Sequence, residues 1–147
     1  MPPWDIATID ERARARPTGS QLRALATEIG QYHRLAAHGA AIALGTDAPL
    51  VPVGLSLHLA LRALHAHGFT TAQALHRATT APARLFGLET ELGTVEPGKI
   101  ADLTVIDGDP FTDFTTLVNT ALVLRGGVAH RQVDLTAVHR GADAPER

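Results

Sequence analysis

The run Ala40-Ala41-Ile42-Ala43-Leu44 limits what this chain can fold into more than any other feature. It follows an amphipathic helical pattern and stops at Gly45-Thr46-Asp47. Unbroken apolarity over such a short run reads as a strand buried on both faces, as in a parallel sheet. One strand cannot make a parallel sheet, because each strand needs neighbours reached by crossover connections. The 40 residues before Ala41 supply no second run of this kind. The chain therefore reads as the end of a βαβ series whose earlier units are missing.

The patterns around that run divide the chain. Residues 1–20 hold Pro2, Pro3, Pro17 and the arginines Arg12, Arg14 and Arg16, and read as an irregular segment with a solvated surface. From Gln21 to His38, Leu22, Leu25, Ile29, Tyr32, Leu35 and Ala36 recur at three- and four-residue spacing, which predicts a helix. Ser20 is the expected N-cap and Gly39 the expected stop. Ala48 to Gly54 reads as a loop and Leu55 to His67 as a second helix. Thr70 and Gln73 form a capping box that opens a third. Thr80 is expected to cap a short helix carrying Pro82 in its first turn and Gly87 past its end. Beyond Leu88 the chain reads as β: a turn at Glu96-Pro97-Gly98-Lys99, strands over Leu103–Asp107, Leu117–Leu124 and Val128–Val133, a turn at Asp109-Pro110, and a hairpin at Gly126-Gly127. The expected class is α/β plus β, with residues 21–87 in the first part, 88–139 in the second, and a polar tail over 140–147.

Composition excludes several chemistries. There is no cysteine, so a metal would rest on His, Asp, Glu or backbone oxygen. Thirteen basic against fifteen acidic residues give no electrostatic reason to expect nucleic acid or an anionic membrane as partner. No apolar stretch approaches the ~18 residues of a membrane span, and residues 1–18 show no secretory h-region. A cytoplasmic location is the corresponding expectation.

Two segments together resemble the metal-dependent amidohydrolase superfamily. The first is Ala43-Leu44-Gly45-Thr46-Asp47-Ala48-Pro49. The second is Leu92-Gly93-Thr94-Val95-Glu96-Pro97-Gly98-Lys99-Ile100-Ala101-Asp102-Leu103, followed by Val105-Ile106-Asp107-Gly108-Asp109-Pro110. The resemblance runs from about Gln31 to Val133 and is most similar to imidazolonepropionase-like and prolidase-like members. It implies the last strand and helices of a distorted (β/α)8 barrel, then part of a small β-sandwich built from both chain ends. It also implies metal-assisted hydrolysis of an amide, cyclic amide or dipeptide C–N bond in a small molecule, with a divalent ion, zinc by default.

The resemblance carries over one catalytic position. Asp47 matches the aspartate at the end of the family's last barrel strand, a metal ligand that accepts the proton of the attacking water. An ionised carboxylate is acceptor-only and suits both tasks. Taken without the second segment, Asp47 would read as a turn aspartate capping backbone N–H groups. His58, just behind that loop, is the candidate substrate contact, against the reading of an ordinary helix histidine. His65-Ala66-His67 has the letter of the family's His-x-His metal pair but not its setting. Residues i and i+2 on a helix diverge by ~200°, so both histidines are expected to cover the helix's carbonyl end instead. His33, His38 and His76 are expected to be structural or solvated. Lys99 and Asp102 are expected to fix the Glu96–Lys99 turn.

The resemblance also implies ligands that are not in this sequence: the His-x-His pair, a lysine or glutamate, and two further histidines. One carboxylate does not hold a catalytic metal by itself. The isolated chain is thus expected to be a truncated portion of an amidohydrolase. The alternatives are one half of a split enzyme completed by a complementary chain, a homo-oligomer, or a non-catalytic remnant serving as a binding module.

Overall fold

The structure is a computed structural model, and it describes residues 16–46, 53–132 and 134. The chain divides into two compact units, Met1–Ala78 and Thr79–Arg147.

The first unit is helical. Helix α1 spans Gly19–Ala37. Its cap is Thr18, not Ser20: the Thr18 hydroxyl accepts from the Gln21 amide at 3.3 Å, and Gln21 Oε1 accepts from the Thr18 amide at 2.8 Å. Thr18 wins because Gln21 stands three residues on and can reciprocate, which nothing does for Ser20. Ser20 is left to share a hydrogen bond with the Thr18 hydroxyl. Of the apolar stripe only Ile29 is buried, while Leu22 and Leu35 remain 49% and 51% exposed. The helix ends at His38, whose Nδ1 lies 2.8 Å from the Arg34 carbonyl, and Gly39 follows at positive φ.

The run after α1 is not a strand. Residues 40–46 pair with no other segment, and the Leu44 amide donates instead to the Arg77 carbonyl at 2.9 Å. The physical reason is the one the sequence poses: a strand exists only through its neighbours, and the described residues offer this run none.

Helix α2 spans Val53–Ala66 and buries Leu61 and Leu64, three residues apart on one face. A turn at His67-Gly68 leads to Phe69, which is buried and stacks on His33 of α1 with centroids 3.8 Å apart. Thr70 and Gln73 form the expected capping box, at 2.9 and 3.2 Å, and open α3, Thr71–Ala78. Ala74 of α3 is fully buried where α3 packs on α2.

The second unit begins with the short helix α4, Thr80–Leu85. Its N-cap is Thr79, whose side chain makes no capping bond. Thr80 is not the cap, because its hydroxyl donates to the Gly93 carbonyl at 3.0 Å and so serves a tertiary contact. Gly93 sits so close to α4 that a Cβ there would lie 2.8 Å from the Ala83 Cβ and 3.1 Å from the Thr80 Cα.

Three antiparallel strands follow, in the order β1 (Leu103–Ile106), β2 (Thr120–Arg125), β3 (Val128–Arg131). Leu103 faces Leu124, and the register shifts between Val105 and Ile106. Arg125 faces Val128 across Gly126-Gly127, both at positive φ, the two-residue turn that suits the twist of paired strands. The strand expected from Leu117 begins only at Thr120. Residues Phe114–Val118 form a 3₁₀ turn capped by Asp113, with Phe114 and Leu117 buried together. Three-residue spacing of the two apolar side chains, plus an aspartate able to cap, defeats the two-residue period of a strand.

Candidate functional site

Asp47, the candidate catalytic and metal-binding residue, lies outside the described residues, as do residues 48–52. The described polypeptide resumes at α2.

His58 is there, on the second turn of α2. It is half-buried, and its Nδ1 is shielded from solvent with no hydrogen-bond partner among the described residues. Ser56 Oγ is in the same condition. Leaving a buried polar atom unpaired costs about 1–3 kcal/mol, so these two atoms are places where the unit carries unfavourable polar burial. Two more occur in the same unit, His33 Nε2 and Arg77 Nε. Nothing in the sequence marks Arg77, which sits at an ordinary helical position.

The other histidines are dispersed. His65 is exposed in the last turn of α2, and His67 is half-buried one residue past its end. His33 is engaged with Phe69. His38 touches the carbonyl end of α1. His130 lies on β3 opposite Val123. His139 falls outside the described residues. Among the described residues no three His, Asp or Glu side chains come together closely enough to hold a metal ion. A metal centre therefore does not fit these residues on their own.

The strongest motif in the sequence has an architectural role. Lys99 Nζ donates to the Glu89 carbonyl at 2.7 Å and to the Thr94 hydroxyl, and it stands 3.7 Å from the Glu96 carboxylate. The side chain is 13% exposed, so one ammonium ties three points of the loop together. The Lys99 amide closes the turn onto the Glu96 carbonyl at 3.3 Å, with Gly98 at φ 91°. Asp102 does not share in this. Its Oδ1 accepts from the Gly126 amide while the Gly127 amide donates to the Ala101 carbonyl, so it holds the β2–β3 hairpin instead.

Two further aspartates also shape backbone, Asp109 at the expected Asp109-Pro110 turn and Asp113, which the sequence did not single out. The Thr112 hydroxyl, and then the Phe111 amide, hold the Asp109 carboxyl below its usual range. The Thr115 hydroxyl, and then its amide, do the same for Asp113. Both carboxylates are fully exposed and serve turns. The available signal was Asp-x-Thr and Asp-x-x-Thr spacing, which local side-chain-to-backbone bonding favours. In the described residues no helix is long and apolar enough to cross a membrane.

Comparison with known proteins places these features in context. The model of the amidohydrolase family matches residues 3–129. An imidazolonepropionase from Geobacillus thermodenitrificans is 32% identical over 109 residues, covering 70% of this chain and 26% of that protein. A 5-methylthioadenosine/S-adenosylhomocysteine deaminase from Moorella thermoacetica is 38% identical over 92 residues, covering 56% of this chain and 22% of its own length. Among solved structures, that of a putative prolidase from Bifidobacterium longum superposes with a TM-score of 0.61 at 34% identity, over 81% of this chain and 30% of the other. The chain thus spans about a quarter of the length of the curated relatives it matches.

Proposed function

The chain belongs to the amidohydrolase family, and on that premise we propose that the protein of which it forms a part hydrolyses a C–N bond in a small molecule. An amide, a cyclic amide or a dipeptide is the substrate class in view. The similar proteins include an imidazolonepropionase, a deaminase and a putative prolidase, so the reading stops at that class. Residues 21–87 are proposed as the closing strand and helices of a (β/α)8 barrel, and 88–139 as one segment of a composite β-sandwich.

The observation that carries this reading is the order and spacing of two segments. Gly45-Thr46-Asp47 is followed at family distance by the Gly93–Asp102 framework, within a family match that spans both. Asp47 is proposed to accept the proton of the attacking water and to serve as one ligand of a divalent metal, zinc in the first instance. A carboxylate is suited to the first task because it stays ionised and acceptor-only at neutral pH. The metal, when bound, supplies polarisation of the scissile carbonyl. Its remaining ligands are proposed to come from residues outside this sequence, on the same polypeptide or on a complementary one. His58 is proposed to contact the substrate, its Nδ1 having no hydrogen-bond partner among the described residues.

Steady-state kinetics of the active assembly test this. Asp47→Asn keeps the shape and removes the proton acceptor, and is expected to lower kcat by about 10²–10⁴-fold with KM little changed. His58→Ala is expected to raise KM more than it lowers kcat. Unchanged turnover in Asp47→Asn would remove Asp47 from the chemistry.

A further inference from the structure

We draw no further inference here: the strongest candidate, the apolar run 40–46 beside the C-terminal end of α3, is tied to its unit through the Leu44 amide and the Arg77 carbonyl, and nothing in the structure shows what covers the rest of it.

Discussion

At the scale of single residues, the motif residues of the second segment divide by task. Gly93 provides close approach, Lys99 cross-links the loop, and Asp102 anchors a hairpin 24 residues further on. Gly93→Ala should be among the most damaging single changes. The added methyl would meet the Ala83 Cβ at 2.8 Å, and φ is +93°. A loss of about 1–3 kcal/mol is expected from overpacking and strain, read as a lower denaturant midpoint at unchanged slope. His58→Leu should behave differently. It replaces an imidazole with an unpaired buried nitrogen by an apolar group, so the melting temperature should hold or rise. A clear fall would mean that His58 has a folding role not visible in its contacts. Glycine and proline at the Glu96–Lys99 turn were legible in the sequence, because turn chemistry is local. The partner of Asp102 was not, because it lies across the sheet.

At the scale of elements, what is local was readable and what depends on distant neighbours was not. Helix α1 follows from its apolar spacing, and α3 from the Thr70–Gln73 box, which sits where its two residue types require. The caps at Thr18 and Thr79 departed by one or two residues from the expected positions, since several hydroxyls compete at each start. Thr18→Ala should cost about 1 kcal/mol and fray the first turn of α1, seen as lower helicity by circular dichroism, whereas Ser20→Ala should do neither. The 3₁₀ turn at Phe114–Val118 carries a pH signature. The Asp113 carboxyl is held low by Thr115, so its folded value lies below its unfolded one. That sign makes its contribution complete above the ordinary carboxylate range and lost as pH falls through the lower folded value. The protection of the Thr115 amide, its exchange rate relative to an unstructured peptide at the same pH, should therefore be present near neutrality and be lost as pH falls through that lowered value. In Asp113→Asn the acid-dependent step should vanish. The same step in the variant would place its origin in another group.

At the scale of the whole molecule, the apolar run after α1 decides how the chain is to be understood. Its composition suits a strand buried on both faces, yet residues 40–46 pair with no other segment among the described residues. Sequence pattern reports what a segment prefers; pairing needs a second segment, and the relatives are about four times longer than the portion matched. The same reasoning covers the half-exposed leucines of α1 and the four buried polar atoms of the first unit that find no partner among the described residues. It also governs the proposed catalytic role, because Asp47 was recognisable by its neighbours in sequence while a ligand set is a meeting of distant residues. The most direct test is the zinc content of the purified chain, by elemental analysis after dialysis, in the wild type and in Asp47→Asn. The account predicts well under one zinc per chain, with no difference between the two. One zinc per chain in the wild type, lost in Asp47→Asn, would contradict it and place a complete metal site within these 147 residues.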